Sequence, residues 1–174
     1  IVQSGGETVC YPGDILFSKS GVTPGLPGGY DVKRFIGARL WMGGRLVLFK
    51  TIGQATKRTV IFREPIEAYN GTPGSGSDYS DYFEVIFSDY IHAGYCRRVQ
   101  TIVHLSGLSG FANIASRMED TSYRIIHTQS DATGVSDIWD EALVDLNDYG
   151  NAEFRIKPAG AMFTVEVYSY IETL

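Results

Sequence analysis

The stretch CRRVQTIVHLSG, residues 96 to 107, sets Val99, Thr101, Val103 and Leu105 on one side of an extended chain and Arg98, Gln100, Ile102 and His104 on the other. Successive side chains of a strand point to opposite faces, so this is the half-buried pattern of an antiparallel sheet resting on a core. The same period of two recurs along the chain. In DYFEVIFSDYIH (81–92), Phe83, Val85 and Phe87 form a wholly apolar set that should face the core, opposite Tyr82, Glu84 and Ile86. In AMFTVEVYSYIETL (161–174), Phe163, Val165, Val167 and Ser169 alternate with Thr164, Glu166 and Tyr168. KRTVIFREPIEAY (57–69) places Val60, Phe62 and Glu64 against Thr59, Ile61 and Arg63, which suits a strand covered on both sides or set at a subunit contact. TSYRIIHTQS and AEFRIKPAG repeat the theme.

Turn residues separate these runs. In GLPGGYDVKRFIGARLWMGG (25–44), Pro27 and Gly28-Gly29 make a turn into the strand DVKRFIGARLWM, and Gly43-Gly44 match a tight hairpin into RLVLFKTIG, together a meander. Residues 69–81 and 105–122, rich in Gly, Ser, Asn and Asp, read as loops. VSDIWDEALVDLND (135–148) is ambiguous: Ser136 can cap a short helix near 136–147 with Ile138, Ala142 and Leu146 at spacings of four, yet Ala142, Val144 and Leu146 also alternate. Many short strands, abundant aromatics and at most one short helix predict an all-β fold, an antiparallel β-sandwich or jelly-roll-like single domain over 1–174. The chain begins at Ile1 with no leader pattern, so it is expected to be a fragment of a longer chain.

Bulk properties and motifs narrow the function. A net charge of −5 argues against a nucleic-acid partner, and no apolar run approaches the ~20 residues of a membrane span. Lys57-Arg58 and Arg97-Arg98 read as solvated strand faces. Cys10 and Cys96 either pair across the fold or sit as two buried thiols. His92, His104 and His127 lack zinc-type spacing, the Gly-rich loops lack a phosphate-binding Lys-Ser/Thr ending, and SGLSGFA (106–112) lacks the G-x-S-x-G order of a nucleophile elbow. No metal, cofactor or catalytic motif is therefore expected. The carboxylates among Asp78, Asp81, Glu84 and Asp89, and from Asp131 to Asp148, leave a glycosidase pair as a minor reading.

GSGSDYSDYF (74–83) is the more informative cluster. Tyr79 and Tyr82 alternate with Asp78 and Asp81, and sugar recognition needs flat apolar faces beside groups that hydrogen-bond hydroxyls. The competing reading folds the tyrosines back on the domain. Trp41, beside a hairpin turn, and Trp139, between Ile138 and acidic residues, complete the candidate binding residues.

LPGGYDVKRFIGARLWMGGRLVLF (26–49) resembles a pattern recurrent in small modules of tailed-phage and prophage virion proteins: a Leu-Pro-x-Gly-Tyr turn, a basic residue, an apolar position, Ile-Gly, then a hairpin into an apolar strand ending in Phe. Those positions are Leu26, Pro27, Gly29, Tyr30, Arg34, Phe35, Ile36, Gly37 and Phe49. The pattern often carries a second Arg where Phe35 stands and a polar hairpin where Trp41 to Gly44 stand. The resemblance implies the distal C-terminal module of a tail fibre or tail spike: extracellular on the virion, homotrimeric, and binding a host cell-surface glycan or protein receptor. A structural virion module, serving capsid decoration or fibre assembly, is the alternative, and a glycan-degrading domain a third. A trimer would add burial to the two-sided strands at 59–67 and 163–171 and repeat a weak sugar site three times, so that avidity replaces single-site affinity.

Overall fold

The computed structural model describes residues 2–3, 32–33, 40–53, 56–74, 78–91, 94–108, 111–118, 121–129 and 137–173. These form β1 (Val2–Gln3), β2 (Val32–Lys33), β3 (Trp41–Met42), β4 (Arg45–Leu46), β5 (Phe49–Gly53), β6 (Lys57–Gly71), β7 (Phe83–Ile86), β8 (Cys96–Ser106), β9 (Ala112–Arg117), β10 (Arg124–Gln129), β11 (Asp137–Asp145), β12 (Asn151–Lys157) and β13 (Met162–Thr173). A five-stranded sheet runs β11-β8-β13-β6-β5 and a four-stranded sheet β10-β9-β12-β7, while β1 with β2 and β3 with β4 form two-stranded ribbons. Every pairing is antiparallel. The fold is all-β, in keeping with a β-sandwich.

The period of two builds its core. Val99, Thr101, Val103 and Leu105 of β8 and Phe163, Val165 and Val167 of β13 are buried on the inner face of the five-stranded sheet. Opposite them lie Val85 of β7, Ile114 of β9 and Phe154 and Ile156 of β12. Phe163 meets Phe154 at a ring-centroid distance of 5.6 Å and Phe83 edge-on at 5.8 Å, joining the two sheets. The Gly43-Gly44 hairpin is present between β3 and β4, with φ of 57° and 78°, the paired positive values that a tight type I′ turn demands. The turn around Pro27, the Ser136 cap and Cys10 lie outside the described residues.

Two sequence expectations need correction and one open alternative is settled. Within 136–147, where a helix and a strand were both open, Asp137–Asp145 is strand β11, paired with β8 from Asp137 opposite Ser106 to Asp145 opposite Arg98. A helix burying Ile138, Ala142 and Leu146 would turn Val144 away from the core, whereas the strand buries Ile138 and Val144 together. The expected loop over 105–122 contains strand β9, buried from Ala112 to Ser116 on both faces, so it lacks the alternation that marks half-buried strands. Arg58 is not on a solvated face: its side chain, 17% exposed, bonds through Nε to the fully buried Glu172 at 2.7 Å.

Irregularities in β13 bring that carboxylate inside. Its register against β6 shifts between Val167 and Ser169, so that residues 62–65 of β6 face residue 168 alone. Pro65 lies in this stretch and has no N–H for the ladder. Beyond the shift Ser169, Tyr170 and Glu172 are all buried. Ser169 Oγ bonds Gln100 Oε1 on β8, and the Tyr170 hydroxyl lies 3.5 Å from Glu172 Oε1.

Removing one partner of a buried ion pair strands the other charge, so Glu172→Ala should lower unfolding free energy by about 3 kcal/mol. Asp148→Ala, which breaks the exposed Arg97–Asp148 pair, should cost less than about 1 kcal/mol. Urea titration of both variants measures the contrast. Cys96 is a free thiol whose Sγ donates to the Arg98 carbonyl, and burial raises its pKa from 9.0 to about 11. Because the folded value lies above the unfolded one, the stability it supports is complete below pH 9 and lost as pH rises towards 11. At pH 10.5 this loss is about 2 kcal/mol. Burial also raises the Tyr69 and Tyr168 phenols, so the Cys96 share is read as the difference between urea titrations of the chain and of Cys96→Ala at pH 8 and 10.5.

Candidate functional site

The inward phase of β12 dictates its outward face. With Ala152, Phe154 and Ile156 buried, Glu153, Arg155 and Lys157 point away from the core. They stand opposite Arg117, Ala115 and Asn113 of β9. Ala115 is only 1% exposed although it lies on the outer side of its sheet, between Arg155 and Ile125 in register. A methyl at this point leaves room for a long guanidinium side chain to lie along the sheet.

The segment carrying Tyr79 and Tyr82 extends the line of β7 beside β12. Ser80, buried between the two tyrosines, donates its N–H to the Ile156 carbonyl at 2.9 Å and accepts the Ile156 N–H on Oγ at 3.0 Å. The Asp78 carbonyl accepts the Ala159 N–H at 3.1 Å, and Asp78 Oδ2 accepts from Lys157 Nζ at 2.7 Å. These bonds turn both rings onto the outer face of the four-stranded sheet. The Arg117 guanidinium carbon lies 3.7 Å from the Tyr82 ring centroid, and that of Arg155 lies 4.4 Å from Tyr79, 5.1 Å from Tyr82 and 5.8 Å from Tyr123. Lys157 Nζ lies 5.0 Å from the Tyr79 ring and 4.9 Å from that of Phe111. Such contacts hold cations and rings together without cancelling the charge.

Two of the three cations have carboxylate partners. Arg117 Nε bonds Glu153 Oε2 at 2.6 Å and Lys157 bonds Asp78. Arg155 has no ion pair among the described residues, and its buried Nε lacks a hydrogen-bond partner.

The sequence candidates thus divide. Asp78, Tyr79 and Tyr82 converge on this face, and Asp81 is exposed on the same segment. Trp139 does not join them. It lies opposite His104 on the outer side of the five-stranded sheet, 63% exposed and stacked on that imidazole at 3.9 Å. Trp41 begins β3, and its side chain lies outside the described residues. Among the other candidates, Glu84 accepts from Asn151, Asp140 bonds His127 Nδ1 at 2.9 Å, and Asp145 pairs with Arg98; His92 and Asp131 lie outside the described residues. No group of three or more His, Cys, Asp or Glu suited to a metal ion occurs among the described residues.

Arg117, Arg155, Lys157, Tyr123 and Phe111 were not singled out from sequence. The available signal was AEFRIK (152–157), where every residue out of phase with the apolar set is charged. No known protein-family model matches the chain, and no curated protein matches it.

Ser80→Ala should leave the Ile156 N–H buried without an acceptor, lowering stability by about 1–3 kcal/mol. It should also free both tyrosines, seen as loss of the chemical-shift dispersion of their ring signals in NMR spectra. Unchanged ring signals would mean that Ser80 does not position them.

Proposed function

We propose that this chain is a host-attachment module of a phage tail fibre or tail spike, and that it binds a cell-surface glycan on the outer face of its four-stranded sheet. The observation that carries the binding reading is the convergence of Tyr79 and Tyr82 with Arg155 on one half-buried, outward-facing surface. Flat rings and fixed donors held by a rigid sheet suit a polymer lying along the surface, and they cost little rotamer entropy on binding. The virion setting rests on the resemblance at 26–49. A homotrimer would present the face three times, giving an otherwise weak site useful avidity.

A structural virion module is the second reading. The exposed Met42, Leu46, Leu48 and Ile52, in and beside β3, β4 and the edge strand β5, favour contact with protein, either another copy or another virion component.

Light scattering for solution mass, together with fluorescent labelling of a panel of bacterial strains, separates the two. The attachment reading expects a trimer that labels some strains, with labelling weakened about tenfold or more by Tyr79→Ala or Tyr82→Ala, equivalent to at least ~1.4 kcal/mol. Trp139→Ala, on the opposite face, should leave it unchanged. Full labelling by both tyrosine variants would overturn the assignment of this face, and a trimer that labels no strain would favour the structural reading.

A further inference from the structure

We infer that the ligand of this face is an acidic saccharide and that Arg155 holds its negative group, whether carboxylate or phosphate. This deepens the glycan-binding reading and rests on it. Arg117 pairs with Glu153 and Lys157 with Asp78, and Glu84 beside Glu153 accepts from Asn151, which leaves Arg155 as the one cation of the three without a carboxylate partner among the described residues.

Arginine stays protonated at any physiological pH and offers five donors in a planar fork, so a guanidinium without an acceptor is poised for a bidentate anion. The Arg155 Nε–H is buried without an acceptor, so an incoming carboxylate or phosphate would meet the guanidinium through its two Nη groups. Nearby Tyr79, Tyr82 and Tyr123 engage the guanidinium through their rings, an interaction that does not use the hydrogen-bond donors of its two Nη groups. The same rings offer apolar surface to the pyranose that carries the charge. A neutral sugar would leave the unpaired guanidinium without a carboxylate or phosphate partner.

NMR titration of the chain at constant ionic strength tests this with three probes: glucuronate for the carboxylate, glycerol phosphate for the phosphate, and glucose as the neutral control. Saturable shifts of the Arg155 Nε–H signal and of the Tyr79 and Tyr82 rings are expected with at least one anion and not with glucose, and the stronger anion identifies the group. Arg155→Gln should weaken that binding about tenfold or more, and Arg155→Lys should restore it only in part, since the lysine keeps the charge and loses the fork. Unchanged core methyl signals show that the variants remain folded. Tyrosine shifts of equal size with glucose and the anions, or undiminished anion binding by Arg155→Gln, would overturn the inference while leaving the glycan-binding reading standing. The absence of any shift at Arg155 with either anion would overturn it as well. The glycan reading itself falls only with the cell-labelling result for the tyrosine variants.

Discussion

Phe163 of the five-stranded sheet packs on Phe154 and Phe83 of the four-stranded sheet, and this aromatic seam sets the phase of the strands that bear it. A strand has only two faces, so once Phe154 and Ile156 are inside, Glu153, Arg155 and Lys157 must be outside. The same logic across the register places Arg117 beside Glu153 and the small Ala115 beside Arg155. The candidate site is therefore the outward consequence of core packing. A slip of one residue in β12 would bury three charges and expose two large apolar side chains, so the energetics that hold the core also hold the charged face in place.

The outer faces of the two sheets differ in chemistry. The five-stranded sheet presents Trp139 stacked on His104, with Glu141 and Tyr168 hydrogen-bonded at 3.3 Å between β11 and β13. The four-stranded sheet presents cations interleaved with rings. The same face carries Glu84, Glu153 and Asp78, so its cations are balanced overall and Arg155 stands out only locally, because field strength at a ligand depends on the nearest few groups and is screened beyond about 8–10 Å in physiological salt. Net charge excludes a broad basic footprint, but it does not describe any single face.

Legibility from sequence followed burial. Strands with one face in the core, such as β8, β7 and the first part of β13, announced themselves by alternation, and Gly43-Gly44 announced their hairpin through the positive φ both residues adopt. Strand β9 was hidden because Ala112 to Ser116 are covered on both sides by small or mixed side chains, leaving no period to detect. β11 carried two periods at once, and only pairing with β8 decides between them. Arg58 and Glu172 are 114 positions apart, and their meeting depends on a register shift that no local pattern records. Asp78, Tyr79 and Tyr82 were legible because ring and carboxylate types cluster within five residues of a turn-rich segment, whereas Arg155 looked like any solvated strand charge.

Arg155 differs from a solvated strand charge in its surroundings. An arginine on an open sheet face ordinarily keeps its fork in water, where exposed pairs contribute little. Here Tyr79 and Tyr82 crowd the guanidinium and its Nε is shut off from solvent without a protein acceptor. Shielding raises the strength of any anion contact made at that fork, because the competing hydration is already partly removed before the ligand arrives. The rings that shield it are themselves fixed by Ser80 through backbone bonds to Ile156. Core packing, loop anchoring and partial desolvation of one charge thus act in series, each dependent on the one before, and their product is a rigid cationic spot framed by aromatic surface.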